Sequence, residues 1–237
     1  MKTIHLSTLS WAFILLLCPF FSTVQASESF FNEKDFTGWS ANDMSFWSVL
    51  NGEIVGTNGE QRVPGNQFLW YDEKVGNFHL SLQVRQVPFA GNGGIQFRSE
   101  RRQNGSAVGY QADIGKGWWG SLYHEHGRKI LAKNKLKEDQ YLKPEQWNSY
   151  EILAVGHRIW LAINGKITVA VRDPIGELDG QISLQIHGGI PQKIIYRKLR
   201  LTRNPKVEIL GMKESELNAL LALAPKGFVQ PLNKSNK

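Results

Sequence analysis

Ile159-Trp160-Leu161-Ala162-Ile163-Asn164-Gly165-Lys166-Ile167-Thr168-Val169-Ala170-Val171 decides the fold class. Two runs rich in β-branched and aromatic residues flank Asn-Gly, the dipeptide that takes the positive-φ two-residue turn matching the twist of paired strands. A β-hairpin is predicted. Phe78-His79-Leu80-Ser81-Leu82-Gln83-Val84 alternates strictly, so its apolar side chains share one face of a strand. Asn51-Gly52 marks a second turn, and short strands of this kind recur to residue 202. Many short strands, frequent turn signals and no helix pattern inside this region predict an all-β antiparallel sandwich or jelly roll.

The ends of the chain read differently. Lys2 and His5 precede an apolar run from Leu9 to Phe21 broken only by Ser10, and Val24-Gln25-Ala26 supplies small residues at the −3 and −1 positions. Residues 1–26 therefore read as a secretory signal peptide, too short for a permanent bilayer span. Cys18 falls inside it and lacks the small residue before it that a lipoprotein site needs. The exported domain is then without a disulfide, and its stability must come from core burial. Residues 27–204 form the sandwich domain on this reading. After Asn204-Pro205, spacings over residues 207–223 predict a short C-terminal amphipathic helix, within a terminal region 205–237. Packing on the sandwich is its expected role, ahead of binding a partner.

The 237-residue chain has a formal net charge of +7, but from Arg203 onward six basic residues face three acidic ones. No block of Lys and Arg interleaved with aromatics occurs, so nucleic acid is not an expected partner. No later stretch is long and apolar enough for a membrane span. Oligomeric state is not legible.

Alternation also sorts a polar face. Tyr110, Ala112 and Ile114 lie opposite Gln111 and Asp113; Ile95 and Phe97 lie opposite Gln96 and Arg98; Ile182, Leu184 and Ile186 lie opposite Ser183, Gln185 and His187. Amides, carboxylates and imidazole suit hydroxyl recognition, and Trp118 and Trp119, which follow the Asp113 strand, suit stacking on pyranose C–H faces. A carbohydrate ligand is the expected partner. Tyr123 and Glu125 share a side, with His124 pointing away from them. His124 and His126 would share the opposite side by the same rule, yet no ligand spacing supports a metal site. No cofactor is called for; calcium in the sandwich loops stays open, with no motif behind it.

Asn92-Gly93-Gly94-Ile95-Gln96-Phe97-Arg98-Ser99, Gly109-Tyr110-Gln111-Ala112-Asp113-Ile114-Gly115 and Gly117-Trp118-Trp119-Gly120-Ser121-Leu122-Tyr123-His124-Glu125, with Leu184-Gln185-Ile186-His187-Gly188-Gly189-Ile190-Pro191, resemble the 3-keto-disaccharide hydrolase family. The matches span nearly all of residues 30–202. The resemblance implies a concanavalin A-like, glucanase-type jelly roll and cleavage of glycosides already oxidised to a ketone at C3. That ketone acidifies the C2 proton, so base-catalysed loss of the proton, departure of the glycosidic oxygen from C1 and addition of water would follow. For such chemistry the expected roles are Asp113 or His187 as base, Glu125 as the leaving-group acid, Arg98 and Gln111 as carbonyl or enolate partners and Gln185 as a hydroxyl contact, with Gln96, Trp118, Trp119 and Tyr123 binding substrate. In the family an acidic residue commonly stands at position 124, so His124 weakens any paired-carboxylate role there. Two other readings stay open: a two-carboxylate glycosidase using Asp113 and Glu125, and a lectin-like module that binds without cleaving.

The exported chain is expected to begin at Ser27, which amino-terminal sequencing of protein recovered outside the cytoplasm checks; a start at Met1 would refute the leader.

Overall fold

The computed structural model describes residues 28–60 and 65–226; the signal peptide expected over residues 1–26 lies outside them. The strands are β1 (Glu28–Ser29), β2 (Trp39–Ser40), β3 (Trp47–Leu50), β4 (Glu53–Thr57), β5 (Gln67–Val75), β6 (Phe78–Val87), β7 (Asn92–Arg101), β8 (Ala107–Gly115) and β9 (Leu122–Glu125). They continue with β10 (Lys129–Ala132), β11 (Asn148–Val155), β12 (Arg158–Ile163), β13 (Lys166–Arg172), β14 (Gly180–Ile186), β15 (Lys193–Arg203), β16 (Glu208–Ile209), β17 (Met212–Lys213) and β18 (Ala222–Leu223). One sheet runs β18-β13-β12-β11-β6-β15-β4-β3, with β1 also on β15; the other runs β10-β9-β8-β7-β14-β5-β2. Pairing is antiparallel throughout these two sheets except at β13–β18.

Alternation supplies the core between the sheets. Phe78, Leu80, Leu82 and Val84 of β6 meet Ile95 and Phe97 of β7, Tyr110, Ala112 and Ile114 of β8 and Ile182, Leu184 and Ile186 of β14 in one buried cluster. Each is removed from water on one pleat face, leaving the other face of the same strand to carry polar groups. Both Asn-Gly hairpins form: Asn164 and Gly165 take φ 47° and 79°, and Asn51 and Gly52 take 53° and 77°. The Asn164 amide also ties its turn inward, accepting from Ser149 N and donating to the Tyr141 carbonyl.

The hairpin β12–β13 is apolar on both sides because both are covered. Ile159, Leu161 and Ile163 enter the main core, while Trp160 and Ala162 face outward with Leu153 into a second cluster completed by Ile209 and Leu217. The covering segment contains the short helix that the spacing over 207–223 predicts, but the helix takes up only part of that stretch. Its helix, α1 (Glu214–Ala219), has six residues, and the apolar residues before it belong to the hairpin β16–β17. Leu210 and Gly211, at φ 56° and 75°, turn that hairpin. The Trp160 indole N–H donates to the Leu217 carbonyl at 3.0 Å, anchoring α1 to the sheet. Among the described residues no helix is long and apolar enough to cross a membrane.

Leu217 is fully buried. Leu217→Ala is expected to cost about 2–5 kcal/mol through lost burial and the cavity left behind, read as a lower denaturation midpoint with little change in slope.

Candidate functional site

The β8 ladder positions the site. Gln111 and Asp113 leave β8 on the face opposite the core, and Tyr123 and Glu125 do the same on β9, with Gln111 directly across from Tyr123. The β8–β9 connection carries Trp118 to the rim, Asn92 starts β7, and His187 follows the last residue of β14. These seven side chains line a cavity of about 310 Å³, at the small end of the roughly 300–1,000 Å³ usual for small-molecule sites. A larger groove of about 810 Å³ lies between the Gly156–His157 turn and Asn218–Leu223, but no carboxylate lines it. The smaller cavity is the one that gathers the polar residues of β8 and β9.

Asp113 is only 5 % exposed. Its backbone is pinned, since its N–H donates to the Ser121 carbonyl and its own carbonyl accepts from Gly120 N–H. Gln111 Nε2 donates to Asp113 Oδ1 at 2.5 Å, and Gln96 Nε2 donates in turn to Gln111 Oε1 at 2.5 Å. Burial pushes the Asp113 carboxyl up to about 7; the Gln111 hydrogen bond opposes this, the charge of Glu125 adds to it, and Lys133 pulls it back slightly. A carboxyl so placed exchanges its proton near neutral pH, as a general base requires.

Burial, with Glu125 and Asp113 nearby, raises the Tyr123 phenol above its usual value, so it remains a donor. His187 Nδ1 lies 2.6 Å from the Gly188 carbonyl. That carbonyl can only accept, so Nδ1 carries the proton and Nε2 is left as an acceptor in the neutral ring. Glu125 is largely buried beside His126, at 3.4 Å. Trp118 is 36 % exposed, with the Lys133 ammonium 3.3 Å from its ring centroid, so a cation rests on an aromatic wall of the pocket.

Of the predicted site residues, Gln111, Asp113, Trp118, Tyr123, Glu125 and His187 converge on this cavity. Gln96 and Gln185 share its sheet face but lie wholly buried behind Gln111, outside the lining. Arg98 is not in the site. A bulge between Phe97 and Glu100 breaks the alternation, and Arg98 at φ 46° turns its guanidinium away to the carbonyls of Gly76 and Gly156 and the side chain of Asn77. There burial lowers its pKa to about 10, still cationic at neutral pH. Gly109 and Gly180 on the flanking strands admit the bulge, since a Cβ at either would stand within 2.8 Å of the Arg98 or Ser99 backbone. A glycine on each neighbouring strand was the signal to find.

Trp119 likewise lies outside the cavity lining. It is 2 % exposed within the main core, and its carbonyl accepts from the Tyr141 hydroxyl and the Asn134 amide. His124 points away from Glu125 as alternation predicts, toward Glu177 at 3.1 Å. It does not pair with His126, which leaves the strand at φ 49° and bonds the Ala107 carbonyl. Among the described residues no three His, Cys, Asp or Glu side chains cluster as a metal site. Sequence reasoning missed Asn92 and Lys133. Asn92 shares the alternation of Gly94 and Gln96 and was findable; Lys133 lies past β10, where nothing local sets it apart.

The architecture is that of the glucanase-type jelly rolls. Solved structures similar to it include a candidate glycosyl hydrolase from Parabacteroides distasonis, at TM-score 0.58 and 18 % identity, covering 75 % of this chain and 93 % of that one. A carbohydrate-binding module from Bacillus subtilis superposes at TM-score 0.56 and 17 % identity, covering 71 % and 97 %. The β-glucanase of Bacillus licheniformis does so at 0.51 and 13 %, covering 77 % and 100 %. Within that class the chain belongs to the 3-keto-alpha-glucoside-1,2-lyase-like domain family, whose model matches residues 26–202. This is the family that the β7–β9 motifs resemble. No curated protein sequence matches the chain.

The raised Asp113 carboxyl has a stability consequence of unusual sign. Between the ordinary 3.8 and about 7 the folded protein binds more protons there than the unfolded chain, so this group's contribution to stability falls as pH rises through that window. Asp113→Asn, which cannot ionise, is expected to raise the thermal midpoint at pH 8 relative to the parent. The gain should close below about pH 4, as scanning calorimetry at several pH values would show.

Proposed function

We propose that this protein is a carbohydrate-active enzyme that cleaves glycosides bearing a ketone at C3, with Asp113 as the general base. The observation carrying the reading is a buried carboxyl, hydrogen-bonded from one side by Gln111, on the wall of a sugar-sized pocket that also holds Trp118, Tyr123, Glu125 and His187.

The sugar stacks on Trp118. Asp113 takes the C2 proton, and the electron pair of that C–H bond moves into the C2–C3 bond as the ketone becomes an enolate. The enolate then expels the glycosidic oxygen from C1, leaving a C1–C2 alkene conjugated with the ketone. The departing oxygen takes its proton from a water held by Glu125, the hydroxide of that water adds at C1, and Asp113 returns its proton to C2, which completes net hydrolysis. Stabilising the enolate oxygen needs donors already in place. With Arg98 turned away, that duty falls to the protonated Tyr123 phenol and Asn92, while Lys133 provides the nearby positive charge. His187 Nε2 accepts from a sugar hydroxyl or from the adding water. Export of the mature domain belongs to the same proposal, resting on the leader motif.

A binding-only reading draws on the similarity to a carbohydrate-binding module. Incubation with 3-keto-trehalose and with trehalose separates the two: cleavage of the keto-sugar alone supports the proposal, whereas saturable binding of either sugar without turnover sinks it. For the enzyme, kcat/KM is expected to rise with pH through a midpoint near 7, as Asp113 ionises. Asp113→Asn should lower it by about 10²–10⁴-fold while the circular dichroism spectrum is unchanged.

A further inference from the structure

Behind Gln111 the sheet face holds polar groups with nothing to bond. Ser183 stands across the ladder from Gln96, and Gln185 across from Gly94. Gln96, Ser183 and Gln185 are all completely buried. Yet Gln96 Oε1, Ser183 Oγ and both amide atoms of Gln185 have no hydrogen-bond partner within the protein. Phe68 and Trp70, directly opposite Gln185 and Ser183 on β5, wall off one side. On the other side lies Gln111, whose side chain runs over Gly94; a Cβ there would come within 2.7 Å of it. Four such atoms side by side are foreign to a dry protein interior, where buried polar groups find a partner in protein or in ordered water.

Hydrogen-bond direction is forced outward from the carboxylate. An ionised Asp113 only accepts, so Gln111 turns its NH₂ to it and its oxygen to Gln96. Gln96 therefore spends an N–H on Gln111, and its own oxygen is left as an acceptor in need of a donor, with Ser183 across the ladder. Gln185 and Ser183 offer donors and acceptors, and water has two of each.

We propose that this enclosed place is an internal hydration site, in which water held by Gln185 and Ser183 donates to Gln96 Oε1 and completes a one-way line of donors ending on Asp113 Oδ1. Gln96 is then a positioning residue: it touches no substrate and fixes the Gln111 amide in the orientation that keeps Asp113 an acceptor. Such a line gains strength from its length, each bond polarising the next. The inference does not rest on the hydrolase reading, since its tests need no turnover.

A crystal structure of the unmodified protein at a resolution that shows solvent is expected to place at least one ordered water within hydrogen-bond distance of Gln185, Ser183 and Gln96 Oε1. Direct bonding among those three side chains, with no water, would overturn the proposal. In Gln96→Met, of similar size but without the amide, the Asp113 titration midpoint followed by carboxyl ¹³C chemical shift should rise by roughly one pH unit. An unmoved midpoint in a folded variant would refute the positioning role. Should that variant not fold, the water test on the unmodified protein decides alone.

Discussion

Every second residue from Tyr110 to Ile114 is committed to the core, and that single constraint fixes where the carboxylate of Asp113 can go. Tyr110, Ala112 and Ile114 are anchored among buried side chains from both sheets. A one-residue slip would put three apolar side chains on the outer face and two polar ones into the core, which no compensating contact offsets. The Asp113 position is therefore as firm as the core itself, and the pocket inherits its shape from packing on the opposite side of the same strand.

Holding a carboxyl at 5 % exposure works against the charged form, and the site contains the forces that limit the damage. Gln111 donates directly, and Lys133 acts through space. Neither cancels desolvation, so the group titrates where water at neutral pH can reset it. A fully paired aspartate, such as Asp173 beneath Arg128 and Tyr110, has its carboxyl held below the ordinary range despite burial. The two aspartates share an environment of low water content and differ in the number of cationic and hydroxyl donors. One is thereby locked as an anion, and the other is left exchangeable.

Much of this was legible in the chain itself. Alternation over Phe78–Val84 and the two Asn-Gly turns carry the sandwich, because burial on one pleat face is a local, period-two demand. The same rule assembles Gln111, Asp113, Tyr123 and Glu125 correctly. It fails where the backbone leaves the regular strand. Arg98 sits in a bulge set by glycines on two other strands, which no window along its own strand contains. Trp119 lies in the β8–β9 turn, where alternation has no meaning, so only the packing shows it to be core. The stretch 207–223 forms its short helix only over Glu214–Ala219; the apolar residues before it reach the outer cluster through a hairpin.

Leu217 and Ile209 come late in the chain, yet they close the outer side of β11 and β12. During synthesis the ribosome therefore releases Leu153, Trp160 and Ala162 well before their cover exists. The nascent sandwich carries an adhesive stripe until its last turns emerge, which makes this segment an intramolecular guard against premature association as much as a buttress for the finished sheet.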